Sequence, residues 1–320
     1  MKIVVLDGHV ANPGDLSWDA FAALGDLTVY KRTSPDEIIE RAAGADAVFI
    51  NKVVLDKAVI DSLPDLRFIG VFATGYNNID IAAAAERGVT VCNVPGYSGA
   101  SVAQMVFALL LEITNKVSLY NNSVHNGDWA NCKDFSYSLG ATEELDGLTM
   151  GIYGFGDIGS RVGRIATALG MNVISPTSKP ADKLPSWLER VSFDEMLARA
   201  DVISINAPLT ETTRGLFNAD VISHMKQGAI LINTSRGPIV DEKALAEALR
   251  SGHLKAAAID VMTQEPPQAD NPLLAPELRD RIVITPHVAW QSVAARRRLL
   301  DISASNLRSF INGTPVNVVS

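Results

Sequence analysis

Cysteine is nearly absent: the 320-residue chain has two, Cys92 and Cys132, far apart and without metal-type spacing, which argues against a disulfide framework or a zinc site. Positive charge is also short. The formal net charge is −8, the wrong sign for a surface that binds nucleic-acid phosphates. No apolar run approaches membrane-spanning length. The N-terminus, MKIVVLDGHV, has neither the apolar core nor the cleavage site of a signal peptide and reads as a first strand. Low-complexity segments are missing too. These absences set the expectation of a soluble, cytoplasmic protein with no nucleic-acid, membrane or metal partner.

What remains is an ordinary globular composition, 47% hydrophobic and 20% charged, in a chain long enough for two cores. The first part alternates apolar runs with helical stretches. Its candidate strands are 2–8, 27–32, 46–50, 67–74 and 89–94, and its helices include 35–43 and 80–88, the latter ending on Gly88. Strands apolar throughout, alternating with helices, indicate a parallel sheet covered on both faces. From Ser101 to about Asn115, Val102, Met105, Val106, Leu109, Leu110 and Ile113 recur at helical spacing. Phe107, Ala108 and Leu111 make the other side apolar as well, as a domain junction or a subunit interface would require. A second strand series follows at 148–154, 171–175, 201–206, 229–235, 256–262 and 281–286. The stretch 292–313 reads as one amphipathic helix ending at Gly313. The class is therefore α/β, with two domains.

The segment 151–170 carries Gly154, Gly156 and Gly159 in G-x-G-x-x-G order, after a strand and opening a helix. Gly154 permits the tight turn, Gly156 lets backbone approach a pyrophosphate, and Gly159 lets helix pack on strand. The following Asp157 and Ile158 lie at the helix N-terminus, whose free N–H groups suit phosphates. Asp157 is ambiguous: it favours the helix dipole yet would sit near the pyrophosphate, unless it points to solvent. In dinucleotide sites the next strand ends in an acid that bridges the ribose hydroxyls of NAD. Here that strand runs into VISPTSKP (173–180), and the acid is missing. Thr177, Ser178 and Lys179 offer hydroxyls and a positive charge instead, which favours NADP(H) over NAD(H) and leaves dual use open. No arginine is seen there to supply a fork.

Three more stretches lie at carboxyl ends of second-series strands, where open α/β sheets place their sites. INTSRGPIVD, IDVMTQEPP and ITPHVAW supply Arg236, Glu265 and His287. Chemistry on a 2-oxo acid needs this set. A guanidinium holds the carboxylate, an imidazolium donates a proton, and a carboxylate orients the imidazole and keeps it protonated. Each also has a structural reading: Arg236 paired with Asp241, His287 capping a loop, Glu265 as a solvated turn residue.

With FATGYNNID (72–80), NVPGYSGASVAQ (93–104) and NAPLTETTRGLF (206–217) added, the chain resembles the D-isomer-specific 2-hydroxyacid dehydrogenases nearly end to end. The resemblance implies two doubly wound parallel-sheet domains. A Rossmann dinucleotide domain (99–288) is inserted into a flavodoxin-like substrate domain (1–98 and 289–320). It implies a homodimer built around the helix after Ser101 and the arm beyond it, and closure between the domains to exclude water. It further implies roles: Arg236 as the substrate arginine, Glu265 and His287 as the acid–base pair, and Asp260 holding the nicotinamide amide. Asn206, Ala207, Pro208, Thr234 and Ser235 would line the cofactor. Backbone N–H groups of Ala73, Thr74, Gly75 and Tyr76 would hold the substrate carboxylate. Trp290 after the histidine resembles the hydroxypyruvate and glycerate subgroup; Glu265 argues against formate-type members, and the end at VNVVS against the long phosphoglycerate enzymes. The implied reaction is reduction of hydroxypyruvate or glyoxylate to the D-hydroxy acid. The rival within the same fold is a dinucleotide-sensing co-regulator without significant turnover.

Overall fold

A computed structural model describes residues 1–320. Five short parallel strands open the chain: β1 (Lys2–Val5), β2 (Asp26–Val29), β3 (Ala47–Ile50), β4 (Phe68–Val71) and β5 (Thr90–Cys92). They lie in the order β2-β1-β3-β4-β5, the flavodoxin-like arrangement. Every residue of β3 and β4 is buried, so both faces need apolar cover. One face is aliphatic, with Val4, Val48 and Ile69 against Ile38, Ile60 and Ala83. The other is aromatic: Phe49 stacks on Phe72 at 5.3 Å, and Phe310 of the last helix meets Phe68 at 5.1 Å. Gly70 makes room, since a Cβ there would strike the Phe49 ring.

The strands stop earlier than their apolar runs. After Val5 the chain turns, and the Asp7 carboxylate accepts N–H groups of Asn51, Lys52 and Val53 at 2.6, 2.6 and 3.0 Å. Side chains thus take over from the ladder at the carboxyl edge.

The last helix, Val293–Ile311, is capped by Ser292 and packs on this sheet. Its buried Arg296 holds Asp15 through two bonds of 2.7 and 2.6 Å, which keeps the Asp15 carboxyl below the usual carboxylate range.

The second sheet has seven parallel strands: β6 (Thr149–Tyr153), β7 (Asn172–Ser175), β8 (Leu188–Arg190), β9 (Val202–Ile205), β10 (Ile230–Asn233), β11 (Ala256–Ile259) and β12 (Ile282–Ile284). Their order is β12-β11-β10-β9-β6-β7-β8, so the winding reverses between β6 and β9. One face packs Val106, Leu110 and Val162 against Met150 and Val173; the other packs Leu197, Ile222 and Leu245 against Ile203 and Leu231. β8 has no counterpart among the expected strands, because Leu-Glu-Arg contains one apolar residue. The helix expected from Ser101 spans Gly99–Asn115. Its Val102, Val106 and Leu109 are buried, while Ala108 and Leu111 remain exposed. No single helix is long and apolar enough to cross a membrane.

The chain divides into residues 1–98 with 291–320, and 99–290. The second junction therefore lies two residues beyond the expected 288/289. The reason is local: Ala289 N–H donates to Asp260, and Ser101 Oγ donates to Ala289 O, so 289 is tied to the dinucleotide unit.

Cys92 is fully enclosed, and burial pushes its thiol up to about 11. Alkylation of the folded protein at neutral pH is expected to label Cys132 alone, with Cys92 reacting only in denaturant. Mass-spectrometric detection of label on Cys92 in the native protein would contradict this.

Candidate active site

At the β6/β9 reversal the glycine loop takes the form the fingerprint requires. Gly154 sits at φ 97°, and a Cβ on it would collide with the backbone of Asn206 and Ala207. A Cβ on Gly159 would collide with the Gly154 carbonyl, so the helix Asp157–Ala168 can lie against β6 only because that position is glycine. Gly156, the N-cap, faces open space. Two buried polar atoms on this edge, Asn206 Oδ1 and Thr234 Oγ1, have no partner in the chain. Buried polar groups are normally satisfied, so these fit a polar ligand laid across the strand ends. Ala207, Pro208 and Ser235 flank them, and Ser235 Oγ donates to Ile205 O. The donor set and the open glycine suit a dinucleotide.

Asp157 opens the helix, and its carboxylate accepts from Arg161 Nε at 3.0 Å and lies against Gly99. Ile158 is partly buried against the core of this unit. Thr177, Ser178 and Lys179 follow β7 as expected. Lys179 N–H donates to Thr177 Oγ1, and the Lys179 ammonium stands 5.3 Å from the centroid of the Phe155 ring, inside the fingerprint.

Arg236, Glu265 and His287 follow β10, β11 and β12, which are neighbours in the sheet. Asp241, the structural partner considered for Arg236, instead caps the helix Glu242–Arg250. Arg236 keeps its guanidinium free of any carboxylate and donates through Nη1 to Ser235 O at 2.8 Å. A Cβ on Gly237 would strike the backbone of Met262 and Thr263, so the arginine loop is pressed onto the one that carries Glu265. Glu265 is no free turn residue. Its Oε1 accepts from Met262 N at 3.1 Å and its Oε2 from His287 Nδ1 at 2.7 Å. A carboxylate oxygen can only accept, so Nδ1 carries the proton and Nε2 is the atom the ring presents outward. The two side chains are 25% and 30% exposed, enough to meet a ligand without being flooded.

His287 has φ 54°, a left-handed conformation uncommon outside glycine. Its N–H donates to Asp260 O at 2.7 Å. The Asp260 side chain then accepts from Thr285 Oγ1 at 2.5 Å, Val288 N at 2.9 Å and Ala289 N at 3.0 Å. Asp260 is 1% exposed. Burial raises its carboxyl above the ordinary value, against the pull of those donors. Two of these donors fall on Oδ1 and one on Oδ2, so the Asp260 carboxylate is built into the turn that presents His287. Thr285, which donates to Asp260, carries no mark in the sequence beyond a hydroxyl two positions before the histidine.

Ala73, Thr74, Gly75 and Tyr76 belong to the first unit. Val94 N donates to Ala73 O, Thr74 Oγ1 donates to Val94 O, and the N–H groups of Thr74, Gly75 and Tyr76 make no hydrogen bond within the chain. Trp290 closes the second unit.

Asp260→Asn should leave one donor of the 285–289 turn unmet, at a cost of about 1–3 kcal/mol. A lower Tm together with reduced turnover is expected. Wild-type values of both would show the clamp to be dispensable.

The family profile for "D-isomer specific 2-hydroxyacid dehydrogenase, NAD binding domain" matches residues 107–289. The chain is 45% identical to a hydroxypyruvate reductase of Blautia hydrogenotrophica across the whole of both chains. It is 40% identical to a glycerate dehydrogenase of Methylorubrum extorquens over 89% of each. An acyclic imino acid reductase solved with NADPH and D-arginine superposes with a TM-score of 0.85 at 28% identity, over all of both chains. On these grounds the chain belongs to the D-isomer-specific 2-hydroxyacid dehydrogenase family.

Proposed function

We propose that the protein reduces a small 2-oxo acid, hydroxypyruvate or glyoxylate, to the D-2-hydroxy acid, preferring NADPH while accepting NADH. The observation that carries this is the Glu265–His287 pair standing beside an unpaired Arg236 on three adjacent strand ends of a dinucleotide-type sheet. The names of the Blautia and Methylorubrum relatives support the substrate. The NADPH in the reductase structure, together with Lys179 and the absence of an acid after β7, supports the cofactor.

The glycine loop, Asn206 and Thr234 would hold the dinucleotide. A bound reduced nicotinamide supplies the hydride. Arg236 binds the substrate carboxylate through its fork and draws electron density from the adjacent carbonyl. In the imidazolium form His287 carries a second proton, on Nε2, and donates it to the carbonyl oxygen as hydride adds to the carbon, turning C=O into CH–OH and leaving a neutral imidazole that takes up a proton from solvent. Glu265 accepts the Nδ1 proton's hydrogen bond and fixes the ring plane, and Met262 N–H fixes Glu265 in turn. Asp260 acts at one remove, through the backbone of His287.

We further infer a homodimer. Leu111, Val117, Leu119, Val124, Trp129 and Phe135 are exposed along and beyond the helix Gly99–Asn115, and apolar surface of this extent favours a partner copy. The rival role as a non-catalytic co-regulator draws no support from the relatives, which carry enzyme names.

Removing the proton donor tests the assignment. His287→Ala is expected to lower kcat on hydroxypyruvate by about 10²- to 10⁴-fold, while dinucleotide affinity, read by nicotinamide fluorescence, stays near wild type. Undiminished turnover would overturn the role given to His287.

A further inference from the structure

The sequence around Lys179 shows no arginine, yet β8 brings one to the same edge of the sheet. β8 pairs in parallel with β7, and in their register Arg190 stands opposite Ser175, two residues before Thr177. Beyond it, Val191 N–H still donates to Ser175 O at 3.2 Å, so this alignment holds up to the start of the 176–179 loop. Alternate residues of a strand share a face. Arg190 therefore lies on the face of Leu188, which packs in the cluster of Val173, Ile152 and the fingerprint residue Phe155. Lys179 rests over that same Phe155, and Trp187 packs edge-to-face with it, the ring centroids 5.9 Å apart.

The neighbouring charges are disposed to leave this cation available. Glu189 points to the opposite face, where both its oxygens are taken by Arg199 at 2.7 Å each. Glu195 is folded back on Ser192 N at 2.8 Å. Arg190 itself is exposed and makes no ion pair or hydrogen bond. An exposed, unspent guanidinium beside a loop of two hydroxyls and a lysine is a donor set for a phosphate monoester. A guanidinium fork gives such a dianion two parallel charge-assisted bonds where lysine gives a point charge.

We propose that Arg190, together with Lys179, binds the 2′-phosphate of NADPH, so that cofactor choice is set by two cations delivered from separate strands. This rests on the NADP(H) reading given above.

The test measures Kd for NADPH and NADH, and competition by 2′,5′-ADP, on the full-length protein and on Arg190→Ala, Arg190→Glu and Lys179→Ala. Arg190→Ala should weaken NADPH about tenfold or more relative to NADH, the scale of a lost hydrogen bond to a charged group. Arg190→Glu should weaken it further, and 2′,5′-ADP should lose affinity in parallel. If Lys179→Ala abolishes NADPH selectivity while Arg190→Ala keeps it, the role of Arg190 is refuted and the cofactor reading stands. If the wild type shows no preference and binds 2′,5′-ADP no better than 5′-AMP, the cofactor reading fails and this inference with it.

Discussion

Asp260 follows a strand of four buried residues, and three donors from the next strand's end converge on its enclosed carboxylate. Its carbonyl accepts a fourth hydrogen bond, from His287 N–H. A left-handed histidine is not a conformation the chain would hold unaided. The clamp holds it, and it can do so because the β11 and β12 ends lie side by side. Hydrogen bonds to a buried carboxylate offset the cost of taking that charge from water, and losing one would leave both a charge and a donor unmet. The placement of His287, its contact with Glu265 and the outward-facing Nε2 all follow from this one residue.

The winding of the second sheet then separates two tasks. Strand ends on one side of the reversal, β6, β7 and β8, present the glycine loop, Lys179 and Arg190. Those on the other side, β10, β11 and β12, present Arg236, Glu265 and His287, while Asn206 and Thr234 lie between. The loops brace one another rather than standing alone: Gly154 against Asn206 and Ala207, Gly237 against Met262, Met262 N–H on Glu265. Each contact needs a missing Cβ or a spare N–H, so the site is made rigid by close backbone approach more than by large side chains.

Much of this was legible in the sequence, for identifiable reasons. The strands read clearly because residues buried on both faces give unbroken apolar runs. The fingerprint read clearly because its glycines answer steric demands that no other residue meets. Arg236, Glu265 and His287 stood out because each follows such a run. Strand ends read too long, since the apolar pattern of 256–262 continues after hydrogen bonding has passed to Asp260. The bonding of Asp260 was hidden because its partners lie 25 to 29 residues onward and meet it only through sheet pairing. β8 was hidden because an edge strand of three residues carries almost no pattern, and with it went Arg190.

The most direct test of the account is the fate of the label when hydroxypyruvate is reduced with NADPH deuterated at nicotinamide carbon 4. Glycerate of D configuration carrying deuterium at carbon 2, with the hydroxyl proton drawn from solvent, is the predicted outcome. Unlabelled glycerate, the L product, or no reduction of any 2-oxo acid would contradict it.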